Sequence, residues 1–147
     1  MKILLLSLQL LTLKNFSPKE FDIYTQEFFE LFPLVKQEVS FKFFNKYPDF
    51  VLDPYTNQIR DPHGYCDLED KSIHINQDWW KRETSIFRKR KVIFHELGHC
   101  LLGLDHPKNK ASFTIMNSIL ETADKDGLNW NYLKKELKRR AYVNSSK

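Results

Sequence analysis

Apolar residues along the 147-residue chain recur with two different periods, and the changes between them mark out its elements. Residues 1–16 carry Lys2 and then an apolar run from Ile3 to Leu13, with no acidic residue before Glu20. A basic start and a stretch of that length are the build of a signal peptide. Against this, no small-x-small cleavage site follows. Leu4, Leu6, Leu8 and Leu10 also alternate as they would in a half-buried strand. Both readings stay open, with export slightly favoured over a cytoplasmic location. The run is too short for a transmembrane helix, which needs roughly 20 apolar residues.

Ser17-Pro18-Lys19-Glu20 predicts a helix start, with a Ser cap, Pro at the first helical position and Glu closing a capping box. Phe21, Tyr24, Phe28, Leu31 and Val35 then recur at helical steps, weakening around Pro33. Val39–Phe43 alternates as a strand. Residues 45–65, with Pro48, Pro54, Pro62 and Gly64, read as a loop. Lys71–Ile75 is a second strand, closed by Asn76 and leading to Asp78-Trp79-Trp80. From about Thr84 a helix carries the stripe Ile86, Phe87, Ile93, Phe94, Leu97 and Leu101, and it should stop at Gly103. Trp130, Leu133, Leu137 and Ala141 mark a last, basic helix. No repeat or linker interrupts the pattern, so residues 17–147 read as one α+β domain.

Composition narrows the picture without naming a function. A chain with 41% hydrophobic and 29% charged residues is globular, and 4 Gly with 6 Pro exclude collagen-like or low-complexity structure. Aromatics reach 14%, including 12 Phe, so rings should fill much of the core. A net charge of +4 is mild. The clusters Lys81-Arg82, Arg88–Lys91 and Lys138–Arg140 read as solvated helix faces, and no nucleic-acid partner is expected. Cys66 and Cys100 allow at most one bridge, and they could equally be two thiols.

The chemistry concentrates in His95-Glu96-Leu97-Gly98-His99-Cys100-Leu101-Leu102-Gly103-Leu104-Asp105-His106, which holds three of the five histidines. His95 and His99 are one helical turn apart, so both imidazoles leave the same face and can meet one ion. Zn²⁺ suits two such nitrogen ligands. Glu96 in this pattern is not a ligand but contacts the metal-bound water as general base. A catalytic zinc keeps three protein ligands and one open position. His106 is the preferred third ligand, because Gly103 lets the chain leave the helix and swing back beneath the metal. The apolar surroundings make an unpartnered Glu and two His costly to bury, which favours a bound metal.

The sequence His95-Glu96-x-x-His99, with Gly103-x-x-His106 after it, resembles the metzincin clan of zinc endopeptidases. In detail it is similar to small bacterial matrixin-like proteins, which also read H-E-L-G-H-C before an I-M-N segment. Thr114-Ile115-Met116-Asn117 resembles the clan's Met-turn. The resemblance covers about residues 17–143. It implies a single zincin-like domain: a small mixed sheet, an active-site helix and a C-terminal helix, one catalytic zinc, and a peptide or protein substrate. It also implies that Lys71–Asn76 is the edge strand that pairs with extended substrate.

One departure keeps the third ligand open. The clan has two residues between the second His and the Gly, whereas Cys100, Leu101 and Leu102 intervene here. Counting from His99 points to Asp105; counting from Gly103 points to His106. Glu121 could instead supply a carboxylate in a gluzincin-type site, and a cytosolic regulatory protease uses the same chemistry. A zinc-stabilised binding module without turnover is the alternative from another class. His63 and His74 read as surface or strand residues, with His74 able to face a cleft. Oligomeric state and substrate identity are not legible.

Overall fold

The computed structural model describes residues 18–45, 63–108, 114–117 and 129–146. Residues 1–16, the Ser17 cap, most of the 45–65 loop and Glu121 lie outside them. Within the described residues the chain is a small α+β domain: a three-stranded mixed sheet and four α-helices. After a 3₁₀ turn at Lys19–Phe21 come α1 (Asp22–Leu31), β1 (Ser40–Phe44), β2 (Gly64–Asp67) and β3 (Ser72–Asn76). Then follow α2 (Gln77–Arg82), α3 (Ile86–Leu102) and α4 (Trp130–Ser145). No helix among the described residues is long and apolar enough to cross a membrane.

The strand order is β1-β3-β2. β3 runs parallel to β1, with Phe41 opposite Ile73, and antiparallel to β2, with Cys66 opposite Ile73. This corrects the expectation for Lys71–Asn76. That strand is central, with Ser72, Ile73, Ile75 and Asn76 buried, and the antiparallel edge is β2.

The aromatic residues build the core as their number suggested. Phe21 stacks on Phe41 at 4.8 Å and meets Trp80 at 4.8 Å. Phe28 and Trp130 both pack edge-on against Phe94, at 5.3 and 4.9 Å, which joins α1, α3 and α4. Glu27 secures the same junction: it accepts from Trp130 Nε1 at 2.9 Å and pairs with Arg90 and Lys134, each at 3.3 Å. The Glu20 carboxylate accepts from Trp80 Nε1 at 2.7 Å, a partner 60 residues away.

The helix that carries the motif begins at a Ser85 cap, whose side chain accepts from Arg88 N. It ends at Gly103, which sits in the left-handed region at φ 59°, open to glycine without strain. The basic run at its start is not a solvated face. Arg88 pairs with Glu83, Lys89 lies 4.7 Å over the Trp80 ring, Arg90 is held by Glu27 and Trp130, and Lys91 is buried.

Candidate metal centre

α3 brings His95 and His99 to one face, and the chain beyond Gly103 returns His106 to them. The three Nε2 atoms form a near-regular triangle: 3.0 Å from His95 to His99, 3.0 Å from His95 to His106 and 3.1 Å from His99 to His106. The return is built locally. The Gly98 carbonyl accepts from the N–H of Gly103 and, at 3.1 Å, from that of Leu104. The Leu104 carbonyl in turn accepts from His99 Nδ1 at 2.5 Å. The extra residue before Gly103 is thus taken up in the last turn of α3, which runs on to Leu102. Asp105 is exposed and lies outside the cluster, contributing only its charge to His99 and His106.

These contacts define the tautomers. A carbonyl oxygen only accepts, so His95 Nδ1–H donates to Ile115 O at 2.8 Å, and His99 Nδ1–H donates to Leu104 O. Both Nε2 atoms therefore carry lone pairs, and those lone pairs face one another across 3.0 Å. Desolvation disfavours the charged form of these rings. Desolvation first, then the neighbouring His99, pushes His95 down to about 3, and desolvation lowers His99 and His106 as well. The three ligand atoms are close enough together to hold one metal ion. A regular tetrahedron with Zn–N near 2.05 Å needs nitrogens about 3.3 Å apart, within a few tenths of those found. The carbonyls on the Nδ1 side are the outer partners that orient imidazole ligands.

Beneath the triangle lies the turn Thr114–Asn117, wholly buried. Thr114 shapes it by accepting from Met116 N through Oγ1 and from Asn117 N through its carbonyl, both at 3.2 Å. Thr114 Oγ1 also donates to Glu136 at 2.6 Å, tying the turn to α4. Met116 is fully buried, and its sulfur stands 2.5 Å from where a Cβ on Gly98 would be. Nothing in the sequence reading flagged Gly98, although it sits between the two histidines of the motif.

Glu96, the residue after His95 on α3, packs against β2. It is 5% exposed and accepts a hydrogen bond from the Cys66 backbone N–H. Desolvation raises its carboxyl to about 8, against the lowering effect of that hydrogen bond. Gly64 lets β2 lie close to β3: a Cβ there would come 2.9 Å from Ile75 Cδ1 and 3.1 Å from His74 O. Cys66 and Cys100 are joined in a disulfide, so the strand that holds Glu96 is bonded to the residue after His99.

His63 and His74 stay away from the triangle. His63 stacks on Trp79 at 4.5 Å. His74 lies flat on Tyr65 at 4.6 Å and its Nε2 meets Ser72 Oγ at 2.8 Å. His74 does form, with Asp67 and Asp70, a second group whose ligand atoms are close enough to hold a metal. Those atoms have protein partners already: Asp67 accepts from Glu69 N, and Asp70 from Ser72 N and Lys42 Nζ. In comparison with known proteins, no family model, no curated protein and no solved structure matches the chain.

Proposed function

We propose that the chain is a zinc-dependent endopeptidase, with His95, His99 and His106 as ligands of one zinc ion and Glu96 as general base. The observation that carries this reading is the triangle of His95, His99 and His106 Nε2 atoms, 3.0 to 3.1 Å apart, on a helix and the chain that returns to it. A zinc ion there supplies Lewis acidity, which acidifies water near neutral pH and polarises a carbonyl. Three imidazoles leave a fourth position for reactants, whereas a structural zinc closes all four.

Glu96 then has a definite task. Its carboxylate takes the proton of the attacking water at one oxygen and returns it to the leaving amine. Desolvation raises the Glu96 carboxyl, and a cation held at the triangle would lower it toward the ionised form that a base requires. The Cys66 N–H fixes the carboxylate through one hydrogen bond. As the antiparallel edge of the sheet, β2 offers backbone groups to an extended peptide, and its neighbour β3 does not.

Zinc titration with proteolysis tests the assignment. Wild type and Glu96→Gln should each take one equivalent, and His95→Ala, His99→Ala and His106→Ala should lose tight binding. Asp105→Ala and Glu121→Ala should keep it. Proteolysis should stop on chelation and return with zinc. Cleavage that survives a chelator, or zinc lost on Glu121→Ala and kept on His106→Ala, contradicts the assignment.

A further inference from the structure

Beside His106, the chain after α3 and the helix α4 enclose an open groove of about 360 Å³. Lys108, Arg139 and Arg140 line it, with Asp105 the only carboxylate among its lining residues. Pro107 and Val143 add apolar surface to the lining, and Leu104 is buried behind it. α4 is the most basic element of the chain, with Lys134, Lys135, Lys138, Arg139 and Arg140 against Glu136 alone.

These cations are not equally engaged. Lys134 is held by Glu27. Arg140 is clamped by Glu136, itself fixed by Thr114, so its guanidinium is set in place at the groove wall. Arg139 is 67% exposed and reaches Glu136 only at 3.7 Å, a surface pair of little strength. Lys108 is exposed and makes no ion pair with a described residue. A groove with two available cations, a third held rigid and one carboxylate has a positive field that draws anions.

We propose that this groove is a docking site for an acidic stretch of the protein substrate, an inference that rests on the peptidase reading above. Carboxylates match the charge, and the guanidinium of Arg139 can hold one through two parallel hydrogen bonds. The apolar Pro107 and Val143 suit a polypeptide, which brings apolar stems with its charges, better than a bare chain of phosphates. His106 belongs both to the groove and to the histidine triangle. A polypeptide held here is therefore tethered beside the reacting centre, and the site selects substrates by their acidic segments.

The test is binding, read without turnover. Full-length, zinc-loaded Glu96→Gln protein is titrated against a fluorescent decamer of alternating Glu and Ala, and against its Gln counterpart. The Glu peptide should bind about tenfold more tightly than the Gln peptide, and added salt should erase the difference. Lys108→Glu/Arg139→Glu should weaken the Glu peptide by about tenfold, and the milder Arg139→Gln by about threefold. Both variants should keep one zinc. Lys138→Glu, exposed on α4 but outside the groove, should leave binding unchanged. Equal affinity for the two peptides overturns the proposal, as does a Lys138→Glu loss matching that of the groove variant. A single-stranded oligonucleotide that binds the groove more tightly than the Glu peptide at equal salt overturns it in favour of nucleic acid. Acidic-peptide binding by a protein that cleaves nothing upholds the groove and overturns the peptidase reading.

Discussion

The sulfur of Met116 occupies the space that a side chain on Gly98 would need, 2.5 Å from the Cβ position. Gly98 stands between His95 and His99 on α3, so the turn beneath the triangle approaches the helix only because that residue has no side chain. Gly98→Ala should cost about 1–3 kcal/mol through overpacking. It should also weaken zinc binding, since the helix and turn that orient His95 are pushed apart. Urea unfolding and zinc affinity of Gly98→Ala, Met116→Ala and the double variant check this. The two losses should be less than additive.

The Cys66–Cys100 disulfide closes a loop with a sequence separation of 34. Replacing both by Ala should lower stability by about 3–4 kcal/mol on chain-entropy grounds. The zinc ligands sit on α3 and the segment after it, so zinc stoichiometry should hold. Hydrolysis should fall by more than zinc affinity, because β2 no longer holds the Glu96 carboxylate against the helix. Denaturant midpoints with and without a dithiol reductant, beside zinc titrations, separate the two effects.

How far the sequence disclosed this arrangement depends on how local each signal is. The existence of α3, its stop at Gly103 and the placing of His95 and His99 were legible from helical spacing, whereas its start, read at about Thr84, falls at Ile86 behind a Ser85 cap. β2 was not. Gly64-Tyr65-Cys66-Asp67 is four residues long, holds a Gly and lacks an alternating apolar pattern, so it merged with the preceding loop. The choice of edge strand failed for a related reason. Which of two neighbouring strands lies at the centre depends on β1, a partner more than 25 residues away. The bond from Trp80 to the Glu20 carboxylate, across 60 residues, has no local signal at all. The geometry favours His106 over Asp105 because α3 runs on to Leu102, a boundary that counting along the motif does not fix.

Asp70 gives the fold an acid limb. The Ser72 hydroxyl first, then Lys42, hold its carboxyl at about 2, below the ordinary 3.8. A depressed carboxyl stabilises the folded state fully above pH 3.8 and loses that contribution as pH falls through 2. Asp70→Asn should therefore have a lower denaturation midpoint than wild type at neutral pH, with the gap closing near pH 2. A gap of the same size at both ends of the range contradicts this role.

Zinc should stabilise the folded chain by mass action. At a free concentration 100 times its Kd the gain is about 2.7 kcal/mol, provided the unfolded chain does not bind. Thermal unfolding with and without zinc should show that increase in wild type and Asp105→Ala, and little of it in His99→Ala or His106→Ala. An equal rise in all four places the metal elsewhere.

The peptidase account is tested most directly by digesting a diverse peptide library with wild type and Glu96→Gln, each carrying one measured equivalent of zinc. Mass spectrometry reads the products. The account predicts new peptide termini with wild type and at least about 100-fold fewer with Glu96→Gln, the size expected for removing a general base. Identical digests from the two zinc-loaded proteins, whether cleaved or intact, would contradict it.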